Sequence, residues 1–274
     1  MNYLKKGVKD TIKAVKFRKL LFFSLTFLQI IFLVLFFYTT LTYQLKIFDN
    51  IQTISQPLEE ANYDVDSLKS GDPFTSEMGL IYKGYTGLVN NFIKMFSWLT
   101  FLFVFLNGAI WLLSHRMLKK YTGKELLQMG IKYVSSFLIA FVPLSIIAYY
   151  ILKKMIFGGA SQEGFLLVSQ ILLAIFLIMT YFFYVAITLI NIKSWKKFAY
   201  NIYYVGIRKI HWSLIVLLIN LTIIFGMLWL INLATISSNL FFLSLILVLI
   251  LIIVLITTKI FWITSLDNLR KIKK

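Results

Sequence analysis

Two histidines and no cysteine bound the chemistry open to this chain. Without thiols there is no disulfide framework, no cysteine nucleophile, no cysteine zinc site and no iron–sulfur cluster. His115 stands beside Arg116 and His211 beside Trp212, each at the edge of an apolar run. A boundary histidine could act as a base on a lipid headgroup. Hydrolysis within a membrane, however, calls for a Ser–His pair, paired aspartates or a set of zinc ligands. No His-Glu-x-x-His, Gly-x-Ser-x-Gly or phosphate-cradling glycine loop occurs. Both histidines therefore read as structural residues at the membrane interface. The chain reads as a non-enzyme without cofactor or metal.

Carboxylates gather in the segment 43–91, as Asp49, Glu59, Glu60, Asp64, Asp66, Asp72 and Glu77. Asp64-Val-Asp66 begins like a calcium loop, but the required glycine and closing glutamate do not follow. These acids read as a solvated, partner-facing surface. Four amides, Gln29, Asn107, Gln170 and Asn220, lie within apolar runs. In hydrocarbon an amide seeks a partner on a neighbouring helix, at about 0.6–2 kcal/mol per bond. They are expected to join helices; the alternative is the polar lining of a substrate path.

The elements that carry these residues are six apolar runs, 20–41, 95–113, 134–151, 165–190, 213–233 and 240–258. An α-helix needs about 20 residues to cross about 30 Å of hydrocarbon. Hydrophobic residues make up 59% of the 274, charged residues only 14%, and mean hydropathy is +0.83. That composition belongs to the membrane class. Pro143 in the third run predicts a kink. Ile47, Ile51, Ile54 and Leu58 keep helical spacing, so the first helix is expected to continue outward and end near Pro57. Gly71, Pro73, Gly79, Gly84 and Gly87 predict an irregular stretch before the second run. Gly108 and Gly226 are expected to permit close helix approach, and Trp98, Trp111, Trp212, Trp229 and Trp262 to anchor span ends at the interface.

The connections between runs are sharply divided in charge. One side, 1–19, 114–133, 191–212 and 259–274, holds 22 of the 28 Lys and Arg and three acids; the other holds six and eight. Under the positive-inside rule the basic side is cytoplasmic, and both termini lie there. Lys259 is placed just past the last run, with its stem free to snorkel outward. The basic residues are spread over short segments against the bilayer, so anionic headgroups, not nucleic acid, are the expected partner.

Each odd-numbered run is approached in a similar way. Residues 17–25 read Phe-Arg-Lys-Leu-Leu-Phe-Phe-Ser-Leu, 207–214 read Ile-Arg-Lys-Ile-His-Trp-Ser-Leu, and 131–138 give Ile-Lys-Tyr-Val-Ser-Ser-Phe-Leu. An amphipathic segment precedes each. In the first, Leu4, Val8, Ile12 and Val15 share a face opposite Lys5, Lys6, Lys9, Lys13 and Lys16. The second opens with Thr122-Gly-Lys-Glu125, a capping-box pattern. The fold expected is an all-α polytopic membrane protein of six transmembrane helices. It is built as a three-fold pseudo-repeat of amphipathic elbow helix plus transmembrane hairpin, about 1–117, 118–190 and 191–274, with an external insertion at 43–91. The headgroup candidates are Lys5, Lys6, Lys9, Lys13, Lys16, Arg18, Lys19, Lys124, Lys132, Lys196, Lys197, Arg208 and Lys209.

This layout resembles prokaryotic six-span membrane proteins with elbow helices and hairpin repeats, such as the membrane domain found beside some glycerophosphodiester phosphodiesterases. The resemblance is one of pattern, carries no site residues, and implies only the architecture. Mitochondrial carriers also use three two-span repeats, but their Pro-x-[Asp/Glu]-x-x-[Lys/Arg] signature is missing; Pro143 is followed by Leu-Ser-Ile. No ionisable side chain falls within the six runs as drawn, which argues against proton coupling. The reading that follows is a non-catalytic scaffold of the cell membrane that interacts with lipid and with other membrane proteins. The alternative is a permease for a neutral or lipophilic substrate.

Overall fold

A computed structural model describes residues 2–60, 78–157, 162–236 and 241–272. The described chain is helical, and six of its helices are long and apolar enough to cross a membrane. The elements are α1 (Asn2–Phe17), α2 (Lys19–Glu60), α3 (Met78–Leu102), a π-helical turn (Phe103–Asn107), α4 (Gly108–Leu118) and α5 (Gly123–Phe157). They continue with α6 (Gln162–Thr188), α7 (Trp195–Tyr203), a second π-helical turn (Tyr204–Arg208), α8 (Ile210–Ile236) and α9 (Phe241–Lys271). Among the described residues, the six apolar runs fall on helices, except that the fourth run extends two residues past the end of α6. The chain forms two compact units, one made of residues up to Gln29 together with Gly108–Lys274, the other of Ile30–Asn107.

Several helices overrun the hydrocarbon. At 1.5 Å per residue, the 42 residues of α2 extend about 63 Å and the 31 of α9 about 46 Å, against about 30 Å of membrane interior. In α2 the helical spacing of Ile47, Ile51 and Ile54 holds and carries the helix through Pro57, as the pattern predicts. The expected irregular stretch at Gly79, Gly84 and Gly87 is instead part of α3. The reason is close packing: a Cβ on Gly84 would lie 2.8 Å from Ile54 Cγ1, and one on Gly87 would lie 2.2 Å from Asn50 Oδ1. These glycines let α3 approach the outer part of α2 within the second unit. Asp64, Asp66, Gly71, Asp72, Pro73 and Glu77 lie outside the described residues.

The larger unit is centred on the second half of α9. Ile256, Ile260, Ser265 and Leu266 are fully enclosed, and Trp262, Ile263, Thr264 and Leu269 nearly so. Residues 259–269, which by sequence fall in a basic connection past the sixth run, are instead enclosed because α1, α4, α6 and α8 all pack on α9. Trp111 and Trp262 are consequently core residues, not interfacial anchors, whereas Trp98 and Trp229 are exposed. Gly108 does admit a neighbour, the Tyr133 ring, which a Cβ would meet at 2.8 Å; Gly226 has nothing within 4 Å. Leu218, Phe225 and Trp229 of α8, like Leu245, Ile246 and Leu249 of α9, present apolar side chains outward, as lipid contact requires.

The three elbows are not built alike. A break at Arg18 separates α1 from α2, and the π-helical turn with Lys209 separates α7 from α8. The second elbow is continuous with its span, because α5 runs unbroken from Gly123 through Pro143 to Phe157. Its start carries the predicted capping box: the Thr122 amide donates to Glu125 Oε2 at 3.1 Å and the Glu125 amide to Thr122 Oγ1 at 3.4 Å.

Candidate functional site

The site lies where α1 meets the enclosed half of α9. The face of α1 turned to protein is Tyr3, Gly7, Thr11 and Ala14, and it is small and polar. Thr11 Oγ1 lies 3.1 Å from Thr264 Oγ1, which donates to the Gly7 carbonyl at 3.1 Å. Asn268 Nδ2 donates to Asp10 Oδ2 at 3.1 Å. The Tyr3 ring meets Trp212 edge-on at 5.8 Å between centroids. Burial raises the Tyr3 phenol above its ordinary pKa, so it stays protonated. The apolar face with Val8 and Ile12 and the basic face with Lys5, Lys6, Lys9, Lys13 and Lys16 remain exposed.

Beside this contact is a cavity of about 530 Å³, lined by Asp10, Lys13, Ala14 and Phe17 of α1 and by Arg18 at the break after it. The end of α4 and the turn after it add His115, Met117, Leu118, Lys119 and Tyr121; Asn191 follows α6, and α9 supplies Ile263, Thr264, Asp267, Asn268 and Lys271. Both carboxylates are engaged within the chain. Asp10 takes the Asn268 amide, and Asp267 takes Arg270 at 2.7 Å together with Lys271. Burial raises the Tyr121 phenol, against the opposing hydrogen bond from the Asn191 side chain, so its hydroxyl remains a neutral group. Lys13, Arg18 and Lys119 thus outnumber Asp10, the lining carboxylate without an ion pair among the described residues. The size of the cavity falls within the roughly 300–1,000 Å³ of small-ligand sites.

His115 is a buried residue, 1% exposed. Its Nε2–H donates to the Ile187 carbonyl at 2.9 Å, near the end of α6. His211 is exposed.

The thirteen proposed headgroup residues separate into two groups. Lys5, Lys6, Lys9, Lys13, Lys16, Lys19, Lys124, Lys196, Lys197 and Arg208 are exposed. Lys132, in contrast, is 2% exposed and unavailable to lipid. Its ammonium donates to the Ile192 carbonyl and, at 3.0 Å, to the Lys193 carbonyl, and lies over the Trp195 and Phe198 rings. Lys209 donates to the Leu269 and Ile272 carbonyls at 3.0 and 2.6 Å, and Arg18 to the Arg116 carbonyl. Helix C-termini leave carbonyls without intrahelical partners and carry partial negative charge, so a cation is favoured there. Arg18 and Lys209 meet such helix ends, whereas Lys132 is held by the carbonyls of the turn between α6 and α7.

Among the amides, Gln29, Asn107 and Asn220 are buried as expected, but Gln170 is exposed on α6, whose enclosed residues lie further on, at 181–190. Gln29 Oε1 accepts from the Lys259 ammonium at 2.8 Å. Lys259 therefore does not snorkel outward; it turns into the core beside Trp111. Asn220 Oδ1 has no hydrogen-bond partner among the described residues. None of the four amides lines the cavity. Compared with protein families, curated proteins and solved structures, the chain matches none of them.

Proposed function

We propose that this chain is a non-catalytic protein of the cell membrane that binds and organises anionic lipid through its basic elbows, with both termini on the cytoplasmic side. The observation that carries the reading is the double exposure of α1. The protein holds this helix by its small face, while Val8 and Ile12 are 47% and 62% exposed on one side and five lysines are open on another. A helix fixed this way keeps its apolar side for acyl chains and its cations for phosphates, the pattern of an interfacial helix. Each well-placed cation adds about 1 kcal/mol of attraction to an anionic leaflet.

The three-fold architecture is part of the proposal. A basic residue at the approach to each odd-numbered span reaches carbonyls at or just past the end of the next span's helix: Arg18 to Arg116, Lys132 to Ile192 and Lys193 across the boundary of the second and third units, Lys209 to Leu269 and Ile272. Recurrence of one contact at equivalent places supports a repeated unit. The test is lipid retention in nanodiscs of mixed phosphatidylcholine and phosphatidylglycerol, read by mass spectrometry. Replacing Lys5, Lys6, Lys9 and Lys16 with Gln should bring the retained ratio down to that of the bulk mixture. Unchanged retention of the anionic lipid rejects the reading.

A further inference from the structure

We propose that the cavity between α1, the end of α4 and the end of α9 is a specific phosphate site, taking the headgroup of an anionic phospholipid or a soluble phosphate ester. This deepens the lipid-binding reading and rests on it for the first of those sources. The argument is one of unmatched charge. Asp267 is neutralised by Arg270 and Lys271, while Asp10, among the described residues, accepts only the Asn268 amide and keeps its charge, so one carboxylate without an ion pair faces three cations, Lys13, Arg18 and Lys119. Among the described residues, Lys13 and Lys119 line the cavity without an ion-pair partner. The Arg18 guanidinium has five N–H donors and gives one nitrogen to the Arg116 carbonyl, which leaves donors for a bound oxyanion. Planar forked donors and ammonium groups together suit a phosphate better than any neutral ligand.

The wall also has an apolar part. Phe17 lines the cavity while being 75% exposed, on the helix whose Val8 and Ile12 are open to acyl chains. A lipid whose phosphate sits among Lys13, Arg18 and Lys119 would have its chains alongside Phe17, which at 100° per residue lies on the opposite side of α1 from Val8 and Ile12. Diffuse attraction to the basic collar does not account for a site of this kind, in which three cations line one open cavity.

The test uses the full chain in nanodiscs of phosphatidylcholine alone, titrated by calorimetry with dihexanoyl-phosphatidylglycerol, dihexanoyl-phosphatidylcholine, glycerol 3-phosphate and inorganic phosphate. Saturable binding of an anionic probe at one site is expected, with none of phosphatidylcholine. The pair Lys13→Gln with Lys119→Gln should weaken it at least tenfold. The pair Lys196→Gln with Lys197→Gln, which removes the same charge from exposed positions of α7, should change it less than twofold. Competition by glycerol 3-phosphate assigns the site to soluble esters, and failure to compete assigns it to lipid. Equal weakening by the two pairs, no weakening, or no saturable binding overturns the proposal. Retention controlled by Lys5, Lys6, Lys9 and Lys16 is measured separately, so the collar can fail while the cavity holds, and the reverse.

Discussion

Thr11 Oγ1 and Thr264 Oγ1 lie 3.1 Å apart although 253 positions separate them, and this contact joins the first helix to the last. It works because Gly7 lets the two backbones close up: a Cβ there would stand 2.3 Å from Ser265 Oγ and 3.3 Å from Ser265 Cα. Small residues at such crossings are how helices gain dispersion contact where hydrocarbon offers little drive to associate.

Gly7→Val should therefore loosen α1 from α9 at a cost of about 1–3 kcal/mol, the usual range for overpacking. Hydrogen exchange across residues 2–17 measures this. Gly7→Ala combined with Ser265→Ala should recover part of the protection, because the nearest clashing atom is then gone.

Lys132→Met should lower thermal stability in detergent. It keeps much of the stem volume but leaves the Ile192 and Lys193 carbonyls without their donor, at about 1–3 kcal/mol. Lys124→Met, at an exposed position of the same helix, should be nearly neutral. If both substitutions melt alike, the cap contributes nothing.

Gln29 and Lys259 should behave as a coupled pair. Gln29→Leu takes an acceptor from a buried ammonium and should destabilise by about 1–3 kcal/mol. Adding Lys259→Met should restore much of that loss, with a coupling of about 0.5–3 kcal/mol in a double-mutant cycle. Additive losses would show that the two side chains do not sense each other.

Tyr181 holds the third elbow. Its hydroxyl donates to the Gly206 carbonyl at 3.0 Å and lies 2.5 Å from Ser213 Oγ, so it serves backbone at the π-helical turn where α7 gives way to α8. Tyr181→Phe should cost about 1–2 kcal/mol, seen as a lower melting temperature and faster exchange at residues 204–213. Equal exchange in the two proteins would place the bend under other control.

Local information explains what was legible. The six spans, the capping box at Thr122 and Glu125, and the outward extension of the first helix each depend on residues within a few turns of one another. The exposed lysines of α1 were legible for the same reason, since helical spacing alone sorts them from Val8 and Ile12. The cavity was not, because Lys13, Lys119 and Asp267 share it only after three distant helices meet.

By itself, then, the sequence determined a six-span helical membrane protein with a steep charge imbalance between its two sides, because hydropathy and helix periodicity act along the chain. Only tertiary packing decided which cations face outward and which turn in. Lys16 and Lys132 look alike in their surroundings of apolar and basic residues, yet one is exposed and the other is closed over by Trp195, Phe198 and the carbonyls after α6. The physical reason is that the turn between α6 and α7 supplies unpaired carbonyls at a point in space that no local pattern records. The same holds for α9, whose residues 259–269 read as part of a basic connection and are core because four helices pack around them.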